Sequence, residues 1–116
     1  MKKIITVDGP AGSGKEKISK YIAKKYNFIH IDSGILYRRL AYELLKKNID
    51  TKNNNKIIKF LANIKKISFR KDVSLRKEII GNKASEIAKN EYVRNFINLQ
   101  QRLATKIPIK KNGFVI

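Results

Sequence analysis

A short run near the N-terminus has the residue types and spacing that suit phosphate binding. Gly9–Lys15 fits G-x-x-x-x-G-K, in which glycines allow backbone amides to surround phosphate oxygens and a lysine adds a point charge. The chemistry this indicates is nucleotide binding and phosphoryl transfer, with Lys15 stabilising the terminal phosphates. A glycine-rich turn without a ligand is the alternative. The candidate phosphate-binding residues are Gly9, Pro10, Ala11, Gly12, Ser13, Gly14, Lys15, Glu16 and Lys17.

The two residues after Lys15 depart from the metal-binding half of this pattern. A hydroxyl that follows the lysine normally ligates Mg²⁺, and related kinases place Gly-Thr there. Glu16 and Lys17 offer no hydroxyl. The Glu16 carboxylate suits the first turn of a helix, yet it would also lie close to phosphate charge. It could hold Mg²⁺ directly or through water, or it could weaken nucleotide binding. We favour impaired metal binding and assign no metal ligand.

The elements that would position this loop are a strand before it and a helix after it. Lys3–Asp8 is a short β-branched apolar run, which predicts a strand. Beyond Gly14, the apolar residues Ile18, Ile22 and Ala23 recur at helical spacing. Strand, glycine turn and helix is the order that a phosphate-binding loop requires.

A second strand and helix follow, with polar residues at their junction. Phe28–Asp32 predicts a strand, and Ser33 opens a helix with Tyr37 and Arg38 in its first turns. Open α/β sheets bind ligands outside the carboxyl ends of their strands, where these side chains would lie. The alternative makes Ser33 a helix cap, Tyr37 an aromatic at the edge of the core and Arg38 a solvated charge.

The rest of the chain predicts further helices and one more strand. These elements are a helix over about 55–66, a short strand over 67–69, a helix pattern from Arg76 that Gly81 interrupts, a final helix capped by Asn90, and a strand that starts at Gly113.

Length and composition limit the class of protein. A chain of 116 residues suits one domain, and the absence of cysteine excludes disulfides and thiolate metal sites. The net charge of +18 favours non-specific contact with polyanions at low salt. The lysines are spread along the whole chain, so no specific nucleic-acid partner is expected. No apolar stretch approaches membrane-spanning length, so we expect no membrane partner and a cytoplasmic location.

Several blocks in the sequence resemble the N-terminal half of bacterial cytidylate kinase. They are residues 5–15, 31–38, 81–88, 93–94, 99–102 and 113–116. The resemblance implies an α/β P-loop nucleoside-monophosphate kinase fold, with a parallel sheet and flanking helices, incomplete at the C-terminus. It implies one truncated domain: a phosphate-binding β-loop-α unit and second strand over 1–34, a helical CMP-binding region with a shortened insert over 35–105, and a turn and core strand over 106–116.

The resemblance also implies an activity and roles for single residues. The family moves a phosphoryl group from ATP to CMP or dCMP, with Mg²⁺ in doubt here because no hydroxyl follows Lys15. Ser33, Tyr37 and Arg38 match the family's CMP-binding positions. Ser85 would contact the cytosine and Arg94 the acceptor phosphate. The full domain is expected to be a monomer.

Two departures bear on whether the chain turns over. The segment 69–76 is shorter than the family's insert over the CMP site. The family's D-G-R-D segment and its arginine-bearing lid would follow residue 116, so we expect little or no kinase turnover from this chain alone. The alternatives are a catalytically dead fragment that binds nucleotide, or RNA non-specifically, and a kinase for AMP, UMP or another small substrate.

Overall fold

The computed structural model describes residues 3–9, 13–64, 67, 72–107 and 109–116. Contacts divide the described chain into two compact units, one from Met1–Asp32 with Gln101–Ile116 and the other from Ser33–Gln100. A 3₁₀ turn covers Val73–Arg76. The strands and α-helices are β1 (Lys3–Ile5), α1 (Lys15–Tyr26), β2 (Phe28–His30), α2 (Ser33–Lys46), α3 (Asn54–Ala62), α4 (Glu78–Ile87), α5 (Glu91–Ala104) and β3 (Gly113–Val115).

The first unit is built on a parallel sheet with the strand order β1-β3-β2. Gly113 of the central strand aligns with Lys3 on one side and Phe28 on the other. A Cβ on Gly113 would collide with the Lys3 carbonyl oxygen, so this close strand pairing requires glycine. All three residues of β3 are buried because the strand has a neighbour on each side. The predicted strand at Gly113 is thereby confirmed, as is the parallel α/β architecture.

Helix α1 packs against β2 and β3 of the same unit. Ile22 and Ala23 are half-buried, and Ser19 is fully buried. Ile18, by contrast, is 51% exposed although it shares the helical spacing of Ile22. The apolar spacing therefore identified the helix correctly but not all of its buried face.

The second unit is a helical cluster around one hydrophobic core. Helices α2 and α4 pack closely together, and the 3₁₀ turn contacts both of them. Burying each aliphatic side chain of this kind contributes about 1.5–3 kcal/mol, so the core positions the helices firmly. Its most deeply buried members are Leu36, Leu40, Ala41 and Leu44 of α2, Ile57 of α3, Ile87 of α4, and Val93 and Ile97 of α5.

Three details of this unit differ from or extend the sequence prediction. The helix predicted over 55–66 ends earlier, at Ala62, where Asn63 donates its side-chain amide to the Lys59 carbonyl at 3.1 Å. Gly81 lies within α4 and does not interrupt it. Asn90 does cap α5, since its side-chain oxygen accepts from the Tyr92 and Val93 amides at 2.9 and 3.2 Å.

The helix pattern predicted from Arg76 also starts later than expected. Arg76 ends the 3₁₀ turn, and α4 begins at Glu78. Of the strand predicted over 67–69, Ile67 is buried but is not in a strand, and residues 68–69 lie outside the described residues. Within the described ranges, no helix is both long enough and apolar enough to cross a membrane.

Candidate functional site

The predicted phosphate-binding loop connects β1 to α1 in the first unit. Pro10, Ala11 and Gly12 lie outside the described residues. At the two ends of that gap, Gly9 and Ser13 lie against each other, since a Cβ on Gly9 would be 2.5 Å from the Ser13 Oγ. The residues on either side of the loop are therefore close together.

The start of α1 has the features of an anion-binding helix terminus. Gly14 precedes the helix with φ 89°, a left-handed conformation that glycine adopts without strain. The residue before the helix is glycine, which has no side chain to cap the amides of the first turn. The positive end of the helix dipole adds to this, and Lys15, half-buried, is the first helical residue.

The two residues after Lys15 differ from the usual Mg²⁺-binding pattern of a phosphate-binding loop. The Glu16 carboxylate pairs with the Lys20 ammonium at 3.0 Å, and the two side chains are 62% and 56% exposed. Lys17 is exposed and can only donate. Among the described residues, no three acidic, histidine or cysteine side chains gather in a way that could hold a metal. The donor set therefore lacks the hydroxyl that this position uses for Mg²⁺, and its one carboxylate is held by an ammonium.

In the second unit, Arg38 is held between α4 and the 3₁₀ turn. Its Nη1 donates to the Leu75 carbonyl at 2.8 Å. A Cβ on Gly81 would lie 3.2 Å from both Nη1 and Nη2, so α4 approaches the guanidinium closely at this residue. These contacts fix the orientation of Arg38 and leave further donors of its planar fork for a ligand.

Tyr37 is connected by charge to Arg94, which lies on α5. Burial of the Tyr37 phenol raises its pKa, and the positive charge of Arg94 opposes that rise. The guanidinium and the phenol are therefore near enough to interact. Arg94 itself is exposed, and its Nη1 donates to the Lys89 carbonyl at 3.3 Å.

The two remaining candidates lie on the same helices. Ser85 is exposed on α4, one turn beyond Gly81 and so on the same side of the helix as the residue that faces Arg38. Ser33 is the first residue of α2 and is partly exposed.

The five candidate residues on α2, α4 and α5 thus comprise two arginines, one tyrosine and two serines, all within the second unit. Arginine forks bind phosphate oxygens in bidentate geometry, and hydroxyls donate to or accept from a nucleobase. Sequence reasoning missed the Leu75 carbonyl and Gly81 as partners of Arg38. A backbone carbonyl leaves no trace in a sequence, but a glycine inside a helix pattern was a usable signal of close packing.

The parallel sheet and flanking helices define a class, the α/β proteins with a P-loop fold. The sequence model described as cytidylate kinase matches residues 5–115. The chain belongs to the cytidylate kinase family.

Individual relatives agree with this assignment. The chain is 36% identical over 121 residues to cytidylate kinase of Clostridioides difficile, covering 95% of this chain and 56% of that protein. It is 40% identical over 120 residues to cytidylate kinase of Fusobacterium nucleatum, covering 95% and 55%. It also matches a bifunctional pantoate ligase/cytidylate kinase of Prochlorococcus marinus at 36% identity over 114 residues, covering 85% and 22%. The chain spans a little over half the length of the first two relatives.

Proposed function

We propose that this chain binds ATP through residues 9–17 and CMP or dCMP through the polar side chains of α2, α4 and α5. The reaction that the two sites would serve is phosphoryl transfer from ATP to the monophosphate, giving ADP and CDP or dCDP. The relatives are longer, so we treat turnover as a property of the complete enzyme and test binding in this chain directly.

One observation carries the proposal, the guanidinium of Arg38 that a backbone carbonyl holds in place in the second unit. Arg38 is fixed by the Leu75 carbonyl, and Arg94 is close enough to act on Tyr37. A guanidinium that is already held in place loses little conformational entropy when its remaining N–H groups donate to two oxygens of a phosphate. We propose that Arg38 and Arg94 bind the monophosphate, with Tyr37 and Ser33 beside it and Ser85 at the base.

The first unit supplies what the phosphoryl donor requires. Amides at the start of α1 and the Lys15 ammonium are groups that stabilise phosphate charge. Phosphoryl transfer is catalysed mainly by positioning and charge stabilisation, so Lys15 is the residue to which we assign a catalytic role.

Calorimetric titration of the whole chain tests the two binding sites separately. Arg94→Gln should weaken CMP binding about 10- to 100-fold, because a hydrogen bond to a charged group is worth about 1.5–3 kcal/mol. Lys15→Ala should weaken ATP binding by a similar factor and leave CMP binding unchanged. The matched controls are Lys59→Gln and Lys24→Ala, which remove one exposed charge from α3 and from the last turn of α1.

The competing substrates are distinguished in the same experiment. If AMP or UMP binds more tightly than CMP, that nucleotide takes the place of CMP as the proposed phosphoryl acceptor. Tight RNA binding with a steep salt dependence, unaffected by Lys15→Ala, would contradict the nucleotide sites altogether.

A further inference from the structure

We infer that the phosphate-binding loop of this chain gains no affinity for ATP from Mg²⁺ and binds the metal-free nucleotide at least as well. The inference rests on the proposed function, since it concerns the same ATP site. It starts from the disagreement between the family's metal chemistry and the donors found here.

The first step is the chemistry of the two residues after Lys15. A P-loop increases its affinity for the Mg²⁺ complex when a hydroxyl at this point becomes a metal ligand. Glu16 and Lys17 replace it with a carboxylate and an ammonium, and an ammonium repels a cation.

The second step is where the Glu16 carboxylate is directed. It lies 3.0 Å from the Lys20 ammonium, one helical turn further from the loop. A carboxylate engaged by an ammonium is partly neutralised, so it repels a nearby phosphate less and attracts a metal ion less. The Lys20 ammonium therefore offsets part of the Glu16 charge, and it competes with a metal ion for the same carboxylate.

The third step is the charge of the ligand. ATP without Mg²⁺ is more negative than its Mg²⁺ complex, and this loop presents Lys15 and Lys17 within a chain of net charge +18. With no hydroxyl directly after Lys15 to ligate the metal, the more negative form should bind more tightly. We expect ATP affinity to be about two- to fivefold higher in EDTA than in Mg²⁺, the range that exposed charge interactions produce.

The test is calorimetric titration of the full chain with ATP in EDTA and in excess Mg²⁺, at matched ionic strength because screening alters every charge interaction here. Equal or tighter binding in EDTA is the expected result. Binding more than twofold tighter in Mg²⁺ would overturn the inference and leave the proposed function standing. No ATP binding in either buffer would overturn the proposed function itself, and the inference with it.

A double variant isolates the cause without changing net charge. Glu16→Gly with Lys17→Thr restores the Gly-Thr pair and removes one charge of each sign. We expect Mg²⁺ to raise the ATP affinity of this variant at least threefold, reversing the preference of the parent chain. If the double variant keeps the parent's preference, residues 16 and 17 are not its cause and the inference fails.

A second variant covers the case in which the double change disturbs folding. Glu16→Thr alone places a hydroxyl directly after Lys15, and its helix content is checked by circular dichroism. We expect it to gain the same Mg²⁺ dependence. Lys24→Ala is the control. It removes a lysine that lies about 13 Å beyond Lys15 along the helix axis, so it should leave the metal preference unchanged.

Discussion

The contact between Gly81 and Arg38 shows how one missing side chain can serve a binding group on another element. The guanidinium is held by the Leu75 carbonyl on one side, and α4 approaches it at Gly81 on the other. A glycine within a helix costs about 1 kcal/mol relative to alanine. In return, the missing Cβ leaves room for the Arg38 guanidinium beside α4.

Gly81→Ala is expected to separate binding from stability. The added methyl would lie 3.2 Å from Nη1 and Nη2, so the guanidinium must shift by a few tenths of an ångström. The gain in helix propensity, about 1 kcal/mol, offsets a strained hydrogen bond of about the same value, so the melting temperature should change little. CMP affinity, measured by titration, should fall about threefold to tenfold.

Asn82→Ala is the matched control for that experiment. Asn82 is the next residue of α4 and is exposed, so its substitution should affect neither Arg38 nor CMP affinity. A variant at Gly81 that melts much lower but binds CMP normally would show that the glycine serves packing alone.

At the scale of elements, the sequence predicted the type of most segments better than their ends. The strand–loop–helix order around Gly14 and the cap at Asn90 were predictable, because glycine turns and helix caps depend on a few local residues. The end of α3 was not predictable from the sequence. The helix ends before Asn63, although the apolar spacing continues through Ile64. Helix propensity and apolar spacing do not reveal whether a capping hydrogen bond will end a helix or whether the helix will continue.

The candidate site was predictable to a similar extent. Ser33, Tyr37, Arg38, Ser85 and Arg94 were identified because they match a family pattern, and their roles stay predictions. The contacts that orient Arg38 were not predictable, because they depend on how α2, α4 and the 3₁₀ turn pack. The grouping of both units into one domain also stays a prediction.

A small polar cluster ties the loop before α3 to α4 within the second unit. The Lys83 ammonium lies 2.6 Å from the Glu86 carboxylate, and the Thr51 hydroxyl donates to the same oxygen at 3.2 Å. The hydrogen bond from Lys83 is the main cause that lowers the pKa of Glu86. A pKa lowered by folding means that the folded state favours the ionised carboxylate, so the cluster stabilises the protein above the unfolded pKa.

Glu86→Gln should therefore destabilise the chain in a pH-dependent way. At neutral pH we expect a loss of about 0.5 kcal/mol, kept small because the carboxylate is 44% exposed. The loss should disappear as the pH falls through the lowered pKa, because the parent carboxylate is then protonated as well. Urea unfolding between pH 3 and 7 measures this, with Glu43→Gln of α2 as a control that removes a carboxylate outside the cluster. A difference that does not vary with pH would assign the effect to packing.

For the molecule as a whole, positive charge is the property that most affects how ligand binding must be measured. The net charge is +18, and the described residues include the ion pairs between Lys20 and Glu16 and between Lys83 and Glu86. Any phosphate compound will be attracted non-specifically at low salt. Specific binding must therefore be recognised by which residues the ligand protects, and not by its affinity alone.

Hydrogen exchange with each ligand supplied separately provides that localisation. Each unit is compact by itself, so a ligand should protect the amides that it contacts or that belong to its own unit. ATP should slow exchange in the first turn of α1, which follows the glycine at the N-cap position. CMP should slow exchange in the first turns of α2 and around Arg94. A ligand at a hundred times its dissociation constant adds about 2.7 kcal/mol to the stability of the state it binds, so the effect should be large.

The Lys15→Ala variant decides whether the two effects are independent. It should reduce protection by ATP in α1 and leave protection by CMP in α2 intact, measured at physiological salt to suppress non-specific contacts. Inorganic sulfate at matched ionic strength serves as the control anion and should protect neither region to the same extent. If ATP and CMP protect the same amides to the same degree, both act as general anions on a basic surface, and the assignment of two nucleotide sites is wrong.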